Sequence, residues 1–139
     1  MPELMSEDAV RDLARSPAEA RSLHRNEVFP VHVLLCVAHH ESDASSLLKA
    51  AGVEYSTLHA ALAAGQPAGK PTNKRELPWS SSMDHILELS QSYTKKHFTS
   101  SHLLALILDN DNDSVALLRE CGLNVPEFRA TLSQRLGDA

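Results

Sequence analysis

"HVLLCVAHHESDASSLLKAAGV", residues 32–53, returns as "HLLALILDNDNDSVALLRECGL", residues 102–123. The offset is 70 (102 − 32) and holds without a gap through Leu62 and Leu132. It pairs Leu34 with Leu104, Asp43 with Asp113, Leu47 with Leu117, Leu48 with Leu118, Gly52 with Gly122 and Ala60 with Ala130. The differences are conservative: Val37/Ile107, Lys49/Arg119, Val53/Leu123 and Leu58/Phe128. A repeat of this length points to two copies of one structural unit.

Each copy reads as the same succession of helices. The runs "VLLCVA" and "LLALIL" are apolar on every side, which predicts helices with no solvent face. A buried strand competes for so short a run. Leu and Ala favour helix, most clearly in the second copy. Asp43 and Asp113 are placed to cap the next helix, whose end Gly52 or Gly122 supplies through a left-handed C′ residue. Ser56 is expected to cap the last helix of copy one, and Pro126 to begin that of copy two. Before His102, "SSMDHILELSQSYTKKH" has Ile86, Leu87, Leu89 and Tyr93 at helical spacing, with Ser80, Ser81 and Ser82 as cap candidates. The corresponding stretch of copy one holds Ser16, Pro17 and Glu19. These predict a fresh helix start with a capping box, hence two short helices in place of one long one. "GQPAGKPTNKRELP", residues 65–78, is a loop by its prolines and glycines. The chain thus divides into one domain over 1–139: repeat one at about 1–64, a linker over 65–78 and repeat two over 79–136.

Composition agrees with an all-α domain. The 139 residues are 42% apolar but only 4% aromatic, and Leu and Ala lead the apolar set. A net charge of −5 opposes general nucleic-acid binding. The basic residues Lys70, Lys74 and Arg75 fall in the linker. Cys36 lies in an apolar run and Cys121 beside Gly122, in no disulfide or metal pattern, which suits a reducing compartment. "MPELMSEDAV" has no apolar core of a signal peptide, and no run approaches the roughly 20 residues of a membrane span. A soluble, cytoplasmic, monomeric protein is the expectation.

The paired blocks resemble the double repeat of the Clp N-terminal domain, the module at the front of Clp-type AAA+ unfoldases. The matching signatures are "HVLLCVA…SLLKAAGV", "HLLALIL…ALLRECGL" and the Pro-aromatic-Ser entry "LPWSSSMDHILELS". The resemblance covers nearly the whole chain and is weakest before Glu27. It implies about eight helices in two four-helix repeats with pseudo-two-fold symmetry. It also implies a non-enzymatic role, docking substrates or adaptors for an unfoldase–protease machine, with no cofactor. No G-x-x-x-x-G-K-[ST] phosphate loop is present, so the chain is expected to be an excised domain or a stand-alone factor. The family often carries an acid before the repeat histidine, which in some members pairs with phosphorylated arginine. Val31 and Ser101 stand there in this chain, so that recognition does not carry over.

Seven residues are candidates for ligand contact. His32 and His102 open the apolar runs; their symmetric recurrence favours a structural role in helix entry over a catalytic one. Val31 and Ser101 occupy the family's acid position. Trp79, the single Trp, packs the seam between copies or, by the resemblance, borders a peptide groove. Glu88 would lie near the same groove, and Met83, like Met5, adds adaptable surface or fills the core. The remaining histidines (His24, His39, His40, His59, His85 and His97) read as solvated surface residues, without the i,i+4 spacing of a metal site. "DNDND", residues 109–113, lacks the central Gly and closing Glu of a calcium loop. Two readings of other classes stand beside the docking module: a helix-turn-helix DNA-binding regulator and a histidine-based metal enzyme.

Overall fold

The structure is a computed structural model and describes residues 5–64, 76–93 and 98–137. Eight helices are present among them: α1 (Glu7–Ser22), α2 (Pro30–His39), α3 (Asp43–Ala50), α4 (Tyr55–Ala64), α5 (Ser81–Tyr93), α6 (Ser100–Asn110), α7 (Asn112–Glu120) and α8 (Val125–Gly137). Linker residues 65–75 and His97 lie outside the described residues.

The two all-apolar runs form α2 and α6, and both are enclosed. In α2 every residue from Pro30 to Val37 is buried; in α6 so are Ser100, Ser101 and Leu103–Leu108. Neither helix has a solvent face, so each needs neighbours all round. α2 packs on α1, α3, α4, α6 and α7, and α6 on α1, α2, α3, α5, α7 and α8. The contacts follow the duplication: α1 on α2 matches α5 on α6, α2 on α4 matches α6 on α8, and α2 on α7 matches α3 on α6. Because α3 and α7 cross over, neither repeat closes its core alone.

Helix ends show the same pairing. Gly52 and Gly122 have φ of 89° and 90°, a conformation costly for any residue with a Cβ. Around them Val53 N–H donates to Leu48 O and Gly52 N–H to Lys49 O, at 2.9 and 3.0 Å. Leu123 to Leu118 and Gly122 to Arg119 repeat the pattern at 3.1 and 2.9 Å. Each is a Schellman closure that satisfies the last carbonyls of α3 or α7.

The starts differ from expectation. Asp43 and Asp113 are inside the first turn, and the caps are Ser42 and Asp111. Ser42 Oγ accepts from Ser45 N–H at 3.1 Å, while Asp111 accepts from both Ser114 N–H and its hydroxyl at 3.0 and 2.5 Å. The first-turn carboxylates still favour the positive helix end. Ser56 is the second residue of α4, and Pro126 the second of α8, where Asn124 Oδ1 accepts Glu127 N–H. Ser80 does cap α5, accepting Met83 N–H at 3.1 Å.

α1 is one continuous helix, not two. Pro17 sits inside it and has no N–H to give the carbonyl of Leu13. Ser16 Oγ donates to that carbonyl at 2.7 Å, replacing the missing bond. Glu19 makes no box with Ser16; its carboxylate accepts from Tyr55 O–H at 2.9 Å.

A carboxylate is fully buried in this apolar setting. Asp12 of α1 is 0% exposed. One carboxylate oxygen accepts the Ser100 hydroxyl of α6 at 2.6 Å, and the other is 2.9 Å from His40 Nδ1. Burial raises its pKa, opposed by the bonds from Ser100 and His40. His40 is therefore a half-buried partner of Asp12 and not the solvated residue expected. Arg11 Nη2 continues the clasp by donating to Glu41 O at 2.9 Å. The position seventy before Ser100 is Pro30, so the other half has no such hydroxyl. Replacing Ser100 by Ala would strand a buried carboxylate oxygen and is expected to cost about 1–3 kcal/mol in urea unfolding. A loss under about 0.5 kcal/mol would mean that the clasp contributes little.

Candidate functional site

Helices α2 and α6 begin in the same way. Their first turns carry the candidates Val31, His32, Ser101 and His102. His32 Nδ1 accepts the N–H of Phe29 at 2.9 Å, and His102 Nδ1 accepts that of Thr99 at 3.1 Å. Each imidazole thus reaches back to the cap residue's own amide, the part Glu or Gln plays in a capping box. Thr99 completes the reciprocal bond by accepting from His102 N–H at 3.5 Å. Phe29 has no such acceptor, and its ring lies edge-on to His32 with 5.9 Å between centroids. The recurring histidines are helix-entry residues.

His32 is 1% exposed. With Nδ1 accepting, its proton sits on Nε2, which is buried with no hydrogen-bond partner among the described residues. Burial, aided by the positive charge of Arg25, lowers its pKa to about 4. His102 is half-buried, and desolvation lowers its pKa as well, against the charge of Asp8.

Each entry is fixed to another helix start by a short parallel bridge. Val28 N–H donates to Pro78 O and Ser80 N–H to Val28 O, both at 2.9 Å, which aligns Trp79 with Val28. Met5 pairs with Phe98 in the same way, through Ser6 N–H to Phe98 O at 2.8 Å. The entries of α2 and α5 are thereby held together, as are those of α1 and α6. Trp79 is half-buried against the core beside the α2 entry. Glu88 is exposed on α5. Met83 is 0% exposed on the inward face of α5 with Ile86, so it is core and offers no surface to a ligand.

Beside the α2 entry opens a cleft of about 300 Å³ between the two repeats. Val31, Leu62 of α4 and Leu117 of α7 form an apolar floor; Arg25, Asp113 and Glu120 stand around it. Val31 is the one ligand candidate from the sequence that lines it. Leu117 and Glu120 fall in the "ALLRECGL" signature and Asp113 at an expected cap, but residues so far apart in the chain give no sign that they share a cleft. Arg25 lies over the Phe29 ring, 5.2 Å from its centroid. A second cleft, of about 400 Å³, lies between α3 and α8 and includes Leu47, Gly122 and Phe128.

Ser100, Asp12 and His40 hold the three side-chain types of a hydrolase triad in the wrong order. The serine hydroxyl is bonded to the carboxylate and not to the imidazole, and Ser100 is 0% exposed. No base is placed to activate it. Among the described residues, no group of three or more His, Cys, Asp or Glu side chains could hold a metal ion. Cys36 is buried, and desolvation raises its pKa to about 12, away from nucleophilic use.

The sequence profile of the Clp repeat (R) N-terminal domain family matches residues 4–98. Among solved structures, the N-terminal domain of the caseinolytic protease associated chaperone ClpD from Arabidopsis thaliana superposes with a TM-score of 0.80 at 21% identity, over 96% of this chain and 98% of that one. The Hsp104 N-terminal domain from Candida albicans gives 0.74 at 15% identity, over 99% and 94%. A structure from investigations of a malarial protein secretion system gives 0.72 at 23%, over 95% and 94%. No curated protein sequence matches.

The buried histidine makes stability depend on pH. His32 has a folded pKa of about 4, below the 6.5 of its ordinary value. Its stabilisation is therefore present above pH 6.5 and is lost as pH falls through about 4, on the order of 3 kcal/mol in all. Urea unfolding from pH 7.5 to 4 should show this loss, and His32→Asn, which keeps an acceptor for Phe29 N–H, should flatten it. An unchanged slope in the variant would remove His32 as the cause.

Proposed function

The chain belongs to the Clp repeat N-terminal domain family, and on that premise we propose that it is a non-enzymatic protein- or peptide-binding module. It docks unfolded substrate segments or adaptors for a Clp ATPase, or modulates such an ATPase as a separate chain. The observation that carries this reading is the open inter-repeat cleft, with its apolar floor of Val31, Leu62 and Leu117 at a helix entry bridged to that of α5. An apolar recess with a charged rim suits side chains of an extended or partly folded partner.

Trp79, His102 and Glu88 belong to the same reading as a wider contact surface, whereas Ser101 is buried in the first turn of α6 and offers a ligand little surface. His32 acts indirectly, by fixing the turn that carries Val31. The DNA-binding alternative is disfavoured by the net charge of −5 and the carboxylates at the cleft, which repel phosphate. No described helix is long and apolar enough to cross a membrane. A cytoplasmic setting and a monomeric state remain part of the proposal.

The test is binding of a reduced, carboxymethylated unfolded protein to the whole chain, followed by fluorescence anisotropy. Ala116, exposed on α7 at the cleft, is replaced by Trp to fill the recess from outside without disturbing the core. Binding to the unfolded protein and not to its folded form is expected, with Ala116→Trp weakening it about tenfold, the scale of a central contact. Trp79→Ala and Glu88→Ala should have smaller effects. Unaltered binding by Ala116→Trp, with loss in Trp79→Ala, would move the site to the α5 entry. No binding of any unfolded protein would contradict the reading.

A further inference from the structure

The duplication supplies an internal comparison for the cleft. Asp43, in the first turn of α3, is held by Arg135 of α8: Nη2 to Oδ1 at 2.7 Å and Nε to Oδ2 at 3.3 Å. This two-pronged contact lowers the pKa of Asp43, the bond from Arg135 being the main cause. In the other half the equivalent carboxylate is Asp113, in the first turn of α7, facing α4. No described residue pairs with Asp113 as Arg135 pairs with Asp43; the position seventy before Arg135 is Gly65, outside the described residues.

Asp113 has no hydrogen bond or ion pair within the described residues, nor does Glu120, about two turns further along α7 at the same cleft. Asp111, also at the cleft, is different: it is buried and already accepts two bonds from Ser114. Arg25 is the one described cation lining the cleft, and it makes no ion pair within 4.0 Å of these acids. Among the described residues, two unpaired carboxylates and one guanidinium therefore surround the apolar floor.

We propose that this cleft takes an unmodified arginine side chain of a bound peptide, with its guanidinium on Asp113 and Glu120. An aliphatic neighbour of that arginine would lie on Val31, Leu62 and Leu117. On Asp113 the ligand guanidinium would take the part that Arg135 takes on Asp43 in the other half. Arginine fits better than lysine because a planar fork meets a carboxylate through two parallel bonds. An acidic or phosphorylated side chain would meet net negative charge. The assignment rests on the peptide-binding reading above and adds its chemical preference.

The experiment uses the whole chain and two short fluorescent peptides of identical sequence, Leu and Val flanking one arginine or one citrulline. Citrulline keeps the shape and removes the charge. At low ionic strength the arginine peptide should bind about three- to tenfold more tightly, the scale of two exposed ion pairs. Added salt should erase the difference. The double variant Asp113→Asn/Glu120→Gln should bind both peptides equally. Arg25→Gln should widen the difference, and Asp43→Asn, which alters net charge away from the cleft, should preserve it. Equal binding of the two peptides, or a preference that survives Asp113→Asn/Glu120→Gln, would overturn the assignment. Titration with the unfolded protein separates the two levels. If it binds while the peptides do not differ, the arginine preference alone falls; if nothing binds, the docking reading falls with it.

Discussion

The fold depends on two helices that cannot face water. α2 and α6 are apolar on every side, and each is buried along nearly its whole length. One four-helix unit supplies too few neighbours to enclose such a helix. The solution is reciprocal: α7 of the second repeat closes over α2, and α3 of the first closes over α6. Burial of a single Leu contributes about 1.5–3 kcal/mol, and α6 alone buries Leu103, Leu104, Leu106, Ile107 and Leu108. The duplicated architecture follows from that requirement, and so does the seam in which a ligand could sit.

Polar groups then decide how the buried helices begin. A helix start in an apolar interior leaves amide donors that need acceptors. His32 and His102 provide them through Nδ1, and the two short bridges use up the neighbouring backbone groups. Asp12 adds a charged clasp between α1 and the start of α6, where its two oxygens meet Ser100 and His40. The cost of burying this carboxylate is offset only while both donors remain. This ties the first helix of repeat one to the second repeat and keeps the helix entries in fixed relation.

Much of this was legible in the chain. The offset of 70 disclosed the repeat, and uniform apolarity marked α2 and α6 as enclosed. Gly52 and Gly122 were readable because the left-handed closure strongly favours glycine. Helix starts were harder, since Ser42, Asp43, Asp111 and Asp113 are all good caps and only tertiary packing selects among them. Pro17 misled because the compensating bond from Ser16 is invisible to a rule about proline alone. Asp12 left a trace: it falls between Ala9, Leu13, Ser16 and Ala20 on the buried face of α1. Its partners, 28 and 88 residues away, left none. The cleft was the least readable feature, for it joins segments from both repeats, and neither Val31 nor Leu117, though both lie in or beside a family signature, shows in sequence that the two share a recess.

Ser100, Asp12 and His40 are arranged as a clasp between helices, and the recess shared by the two repeats is the proposed docking site. Titration of the isotopically labelled chain with an unfolded protein, followed by amide chemical-shift mapping, tests this most directly. The account predicts perturbations centred on Val31, Ala61, Leu62, Ala116 and Leu117, the residues that bring α2, α4 and α7 together. Perturbations confined to the α3–α8 cleft around Leu47, Gly122 and Phe128, or none at saturating ligand, would contradict it.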